Sequence, residues 1–453
     1  MHPERTHEGE AFILKGTGCS NVTCPYDHSL NKQILPASPN PDRIPTMKIR
    51  SITCFLHPSY PLNEHKLKRA GEFLQIAQPA FVEVGYEVQS ARLAIVPFAY
   101  LLPDLKPDAL VNLAQQLEAA ALDLGYAYVS LGPALPEQPE SYGLIPEALA
   151  ATQNAFCSGM MTTHDGKVSL KAIHQCAHVI QRASSISPDG FANLRFAALA
   201  NVPAGSPFFP AAYHQGEEPS FALATEAADL AVTAFSQASN LEEARGNLVS
   251  SMEAHARAIT SVAREIERRS QFKFGGIDFS LAPFPSEALS IGTAMERLGV
   301  PAIGNHGSLA AAAILADTMD QADFLRAGFS GLMLPVLEDA ILARRAAEGC
   351  LGVMDLLLYS AVCGTGLDTI PLPGDTSVEQ LSAVLLDLAS LSSRLAKPLT
   401  ARLMPIPGKK VGDPTGFDFA YFANSRVLPL HAVPLDRFLS GNESFELHRR
   451  PSR

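Results

Sequence analysis

The chain has 453 residues, 47% of them hydrophobic, and a formal net charge of −11. That is enough apolar material for a large core, and the negative balance without a basic block argues against nucleic acid as the main partner. No apolar run reaches the ~20 residues of a membrane span, and seven widely spread cysteines (19, 24, 54, 157, 176, 350, 363) fit a reducing compartment better than a disulfide framework. The opening residues lack the apolar region of a secretory signal, so a cytoplasmic protein is expected.

Residues 1–46 are rich in Pro, Asn, Ser and His and show no sustained period. They read as a disordered extension, or as the product of an upstream start codon with Met47 the usual first residue. Cys19, Cys24 and His28 are spaced loosely like zinc ligands, but no second pair follows.

From Met47 strand and helix signals alternate. Strands are predicted over 48–56, 91–98, 126–131, 155–158, 191–202, 272–281, 328–336, 367–372 and 399–405, with 419–423 closing the pattern. Helices are predicted over 63–78, ended or kinked by Pro79, and over 108–124, 146–152, 170–183, 217–238, 241–269, 286–298, 308–320, 338–349, 351–360 and 377–395, the last capped by Asp375 or Thr376. The alternation predicts one α/β domain over 47–434, a mostly parallel sheet of about ten strands that curls or closes, with helices outside and a polar tail over 435–453.

Ligands of such folds gather at strand exits, so polar residues there are the candidates. The densest stretch is YSAVCGTGLDTIPLPGDT, Tyr359 to Thr376. Cys363 is a candidate nucleophile or proton carrier and Asp368 a ligand or catalytic acid. Gly364 and Gly366 would let the backbone approach a ligand or another strand closely. A tight corner of the sheet is the alternative.

Asn193 and Arg195 share parity in the predicted strand 191–202. A buried arginine needs an anion, which is a substrate carboxylate or phosphate or an acid of the chain itself. His214 ends the rigid SPFFPAAYHQG segment and could move protons. Asp278 lies in GGIDFSLAP, either catalytic or the buried partner of Arg195. Glu338 follows a strand at a helix start, where the helix dipole alone could explain it. Arg402 is a second arginine within a strand, and His306 and Ser308 lie in a glycine-flanked turn entering a helix. The acids Glu338 and Asp368 would suit Mg²⁺ or Ca²⁺.

GGIDFSLAPFP, VCGTGLDTIPLPGD, KPLTARLMPIPGKKVGDPTGFDFAYF and NLRFAALANV with PFFPAAYHQG are the longest distinctive motifs. With them the chain resembles the domain of unknown function 711 family from Met47 to about Pro434. That family is similar in fold to pyruvate formate-lyase and anaerobic ribonucleotide reductase. The resemblance implies a ten-stranded α/β barrel of two five-stranded halves. Its fold relatives are glycyl-radical enzymes with a cysteine on a central loop, which Cys363 would match. The tail SGNESFELHRRPSR holds one glycine, Gly441, without the radical motif, and fold alone transfers no reaction.

Three functions are therefore carried forward. The first is a non-radical enzyme on a small anionic metabolite. In it Asn193, Arg195, Arg402, Gly364 and Gly366 bind substrate, Cys363, Asp278 and His214 are catalytic, and Glu338 and Asp368 hold a divalent cation. The second is a glycyl-radical-fold relative using Cys363. The third is a ligand-binding or regulatory protein without turnover. No membrane partner is expected, and a homo-oligomer is left open.

Overall fold

The computed structural model describes residues 47–362 and 364–449. Short apolar runs rich in β-branched and aromatic residues form the strands. They are β1 Lys48–Leu56, β2 Ala91–Ile95, β3 Tyr128–Ala134, β4 Ala155–Met160, β5 Val168–Ser169, β6 Phe196–Ala200, β7 Ser220–Glu226, β8 Lys273–Ala282, β9 Gly366–Pro373, β10 Leu399–Ile406 and β11 Ser444–Phe445. Nine of them make one mixed, mostly parallel sheet in the order β8-β7-β1-β2-β3-β4-β6-β10-β9. Neighbours β1, β2, β3, β4 and β6 are parallel to one another. β7 pairs antiparallel with β1 and β10 antiparallel with β6, while β8 and β9 are parallel to their own neighbours. Five strands therefore run one way and four the other. β11, in the tail, pairs with β5.

The helices are α1 Glu64–Glu83, α2 Pro107–Asp123, α3 Ile145–Ala150, α4 Leu170–Ser184, α5 Ala228–Gln237, α6 Leu241–Ser270, α7 Ile291–Arg297, α8 Ser308–Gln321, α9 Ala340–Ala347, α10 Val353–Tyr359 and α11 Val378–Leu395. Their apolar stripes cover one face of the sheet, where Ile52, Cys54, Leu93, Leu131, Phe73, Leu113 and Leu385 belong to one core. No helix among the described residues is long and apolar enough to cross a membrane.

The other sheet face holds a chain segment. Residues 202–214 lie against it. Phe209 and Ala212 pack with Phe55, Ala94 and Phe156, and Ala211 and Phe208 with Met160, Ala197 and Leu199. Thr53 Oγ1 donates to Pro207 O (3.4 Å), Ser130 Oγ to Ala212 O (2.6 Å), and His214 N to Ile95 O (2.9 Å). This one segment touches β1, β2, β3, β4 and β6, five consecutive strands of the sheet.

Several sequence expectations change. The helix predicted over 217–238 is β7 followed by α5, because pairing with β1 overrides the helix propensity of Ala, Leu and Glu. Phe191–Arg195 is a 3-10 turn, so Asn193 and Arg195 do not share a strand face. α1 runs through Pro79 to Glu83, held on the core by buried Ala77 and Phe81. Ser377, in a capping box with Gln380, caps α11 in place of Asp375 or Thr376.

Ten strands were expected; residues 328–336 and 419–423 form no ladder, and β7 joins in place of a predicted helix, so the sheet has nine among the described residues. Residues 325–336 instead bond to both sheet edges. Ile277 N donates to Leu325 O and Ala327 N to Ile277 O on the β8 side. Gly364 N donates to Leu332 O and Val336 N to Asp368 O on the β9 side.

Candidate functional site

Charged side chains gather on the inner face at one end of the sheet. There β1, β2 and β3 begin while β7 and the segment before α9 end. β9 and β10 are parallel neighbours with a register shift between Ala401 and Leu403, which places Arg402 beside Asp368. Arg402 Nε donates to Asp368 Oδ1 at 2.5 Å, and Nη2 donates to Asp368 Oδ2 at 2.9 Å and Glu338 Oε1 at 2.6 Å. Glu338 Oε2 accepts from Arg50 Nη2. Arg50 Nη1 donates to Pro283 O (3.1 Å) and lies 3.9 Å from Glu226 Oε2, which also accepts from Gln89 Nε2 (2.8 Å). The Arg402 guanidinium stands 5.3 Å from the Phe208 ring centroid.

Burial opposes every charge in this chain of groups, and the partners answer it unequally. Burial raises Glu338, but Arg402 and Arg50 outweigh it and hold its carboxyl below the usual range. For Asp368 burial wins over Arg402 and the carboxyl is raised. Arg50 and Arg402 are both raised, because their carboxylates overcome the cost of burial. Glu226 is raised, burial outweighing Arg50.

Arg92 is different. Its Nε donates to Ser90 Oγ at 3.0 Å, and its guanidinium lies 5.3 Å from the Phe209 ring and 5.9 Å from the Tyr128 ring. Among the described residues no carboxylate is within ion-pair distance of it, and its Nη1 and Nη2 have no hydrogen-bond partner. Burial first, and then repulsion from Arg50, lower its pKa to about 10. Arg92 and Tyr128 are register partners across β2 and β3. Tyr421, against Phe284 at 5.7 Å, interacts electrostatically with Arg92, Arg50, Tyr128 and Glu226. Burial raises the Tyr421 hydroxyl, which keeps it a proton donor. Neither tyrosine hydroxyl has a partner among the described residues.

Three residues singled out from sequence meet here: Arg402, Glu338 and Asp368. Their roles change. Both oxygens of each carboxylate face guanidinium groups, so the expected cation ligands are arginine partners, and Arg402 is engaged by the chain's own acids rather than left for a substrate.

The other candidates lie elsewhere. Arg195 donates to Leu149 O (2.7 Å), Thr152 O (2.9 Å) and Ala155 O (3.3 Å), satisfying carbonyls at and after the end of α3. Among the described residues no carboxylate is within ion-pair distance of it, Asp278 included, and burial lowers its pKa. Asp278 accepts from Ser280 Oγ (2.5 Å), Phe329 N (3.0 Å) and Ser330 N (2.9 Å), fixing the turn that leaves β8's edge. Burial raises its carboxyl. A Cβ on Gly328 would lie 2.2 Å from Asp278 Oδ2.

His214 is buried against Phe55 with Nε2 unpartnered among the described residues, and burial, then His57, push it down to about 4. It bonds Ile95, three residues along β2 from Arg92 and so about 10 Å away. Asn193 is fully buried, with neither amide atom of its side chain partnered among the described residues. At Gly366, with φ +104°, a Cβ would lie 2.3 Å from Thr400 O; at Gly364 it would lie 2.5 Å from Gly331 Cα. Both glycines let backbones pack, the strand alternative raised above. Cys363 lies outside the described residues. His306 is exposed.

Arg50, Arg92, Glu226, Tyr128 and Tyr421 were not singled out from sequence. The signal existed for two of them: Arg50 in KIRSITCFL and Arg92 in ARLAIVPF are arginines in apolar strands, as Arg402 is.

The family model described as "Uncharacterised ACR (DUF711)" matches residues 43–420. A "UPF0210 protein" of Acetivibrio thermocellus is 30% identical over 364 residues, covering 76% of this chain and 80% of the relative. A "UPF0210 protein" of Methanococcoides burtonii is 30% identical over 74% of this chain and 77% of its own. One of Desulforudis audaxviator is 30% identical over 76% and 80%. The chain is a member of the DUF711 family.

Proposed function

We propose that this protein is a non-radical enzyme that binds a small anionic metabolite, a carboxylate or phosphate, between Arg92 and Arg50. The observation that carries the reading is Arg92: a partly buried guanidinium with free Nη donors, no carboxylate within ion-pair distance among the described residues, and a second cation beside it. Arginine presents paired donors suited to a planar or tetrahedral oxyanion. Tyr128 and Tyr421 supply hydroxyl donors, and a protonated Tyr421 is placed to stabilise negative charge as it develops. No divalent cation is assigned to Glu338 and Asp368, whose oxygens face arginines.

The sheet around this mouth is proposed to close. Supporting that, residues 325–336 bond to β8 at one end and to β9 at the other, the two edges of the nine-stranded sheet. The non-radical reading is supported by Gly441, which lies in a tail tied to β5 and the start of α4 through Glu443 O and Ser444–Phe445.

The test is thermal stability and calorimetry of the full chain with inorganic phosphate and a panel of mono-, di- and tricarboxylates. At least one anion is expected to raise Tm and to bind in the wild type and not in Arg92→Gln. No response to any anion, or an equal response in Arg92→Gln, overturns the reading.

A further inference from the structure

A second cluster lies away from the arginines, on the outer surface. His174 and His178 are one turn apart on the exposed side of α4, opposite its core-facing Ile173, Cys176, Ala177 and Ile180. Their Nε2 atoms are 3.1 Å apart, and the rings meet edge-on, with centroids 4.6 Å apart and planes at 86°. Two nitrogens bound to one zinc ion at about 2.0–2.1 Å each are separated by roughly 3–3.4 Å, so the pair already has the bite of a chelate.

The neighbouring helix sets the tautomer. Ser382 of α11 donates to Val378 O at 2.8 Å and therefore faces His174 Nδ1, 3.4 Å away, as an acceptor. A proton held on Nδ1 leaves Nε2 with a free lone pair, the form that ligates a metal. Glu379, exposed in the first turn of α11 and three residues before Ser382, interacts electrostatically with both histidines. Among the described residues no three His, Cys, Asp or Glu side chains stand ready-made as a metal site, so a third protein ligand has to swing in, and Glu379 is an exposed carboxylate that interacts electrostatically with both histidines.

We propose that His174 and His178, with Glu379 as third ligand, bind a divalent transition cation of the zinc, nickel or copper class on the α4–α11 surface. Imidazole favours these ions over Mg²⁺ and Ca²⁺, which take oxygen ligands. The site is independent of the anion mouth: its residues lie on outer helices and none of them touches Arg92 or Arg402.

The experiment uses the full chain, purified without an affinity tag and stripped with EDTA, titrated calorimetrically with Zn²⁺ and separately with Ni²⁺. The double variant His174→Asn/His178→Asn is expected to lose one metal equivalent per chain while its metal-free Tm stays that of the wild type. Each single variant should lose more than the ~10–100-fold typical of removing a mere supporting partner. Glu379→Gln should weaken binding without abolishing it; unchanged affinity there removes Glu379 from the ligand set. Cu²⁺ paramagnetic resonance should show nitrogen couplings in the wild type that the double variant lacks. Equal stoichiometry and affinity in wild type and double variant overturn the site.

Discussion

Arg402 and Arg92 sit at the same end of one sheet and meet opposite fates. Arg402 has two acids within hydrogen-bond distance, at 2.5–2.9 Å, and a ring beneath it. Arg92 has two rings, one hydroxyl and a cation for a neighbour. Burial costs both, but only Arg402 is compensated, and its pKa rises while that of Arg92 falls. A compensated buried charge is a structural element. An uncompensated one is what the proposed anion would answer.

The largest expected effect is on the compensated side. Arg402→Met leaves Asp368 buried with no guanidinium and Glu338 with only Arg50, and removing one member of a buried pair costs about 3–5 kcal/mol. Urea unfolding should show the loss as a lower midpoint at unchanged slope. Arg402→Met/Asp368→Leu should be more stable than the single variant, because the orphaned charge goes too. A double variant no better than the single one would mean that Arg402 contributes packing on Phe208 rather than charge.

Asp229, near the start of α5, extends the comparison to an acid. Its Oδ1 is buried with no partner among the described residues, and burial pushes its carboxyl up to about 7. A folded-state pKa above the unfolded value of ~3.9 means the folded form holds the proton more tightly. Its stabilising contribution is therefore present at low pH and lost as pH rises through 7. Asp229→Asn should leave stability near wild type at about pH 4 and raise it at about pH 8, by up to about 3 kcal/mol. Parallel wild-type and variant curves across that range would show that Asp229 ionises freely in the folded chain.

How much of this was legible in sequence follows from the same physics. The strands β1, β2, β3, β4 and β10 were readable because burial on both faces demands apolar runs. β7 was not, since Ala, Leu and Glu are helix formers and only its pairing with β1 makes Ser220–Glu226 extended. For the site, the reading that a buried arginine must meet an anion was sound for Arg402, but the anion was internal. For Arg195 it failed, because carbonyls at the end of α3 satisfy a guanidinium as well as a carboxylate does, and spacing cannot distinguish them. Arg92 was missed although its strand context matched. What sets it apart is the lack of a carboxylate partner among the described residues, a property of the folded arrangement.

The smallest effect is the most discriminating. Arg92→Leu removes a cation whose lowered pKa, about 10 against the ordinary 12.5, corresponds to roughly 3 kcal/mol of disfavoured charge at full burial. Partial exposure reduces that figure. The variant also loses contacts with Phe209 and Tyr128, each worth about 0.5–1 kcal/mol. The balance favours the variant: unfolding at about pH 7 without added anion should show stability unchanged or raised by about 1–2 kcal/mol. Because the arginine stays protonated well above neutrality, this gain should be flat from about pH 6 to 8, unlike that of Asp229→Asn. A loss of several kcal/mol would place Arg92 with Arg402 as a structural charge and remove the reason for reading the mouth as a binding site.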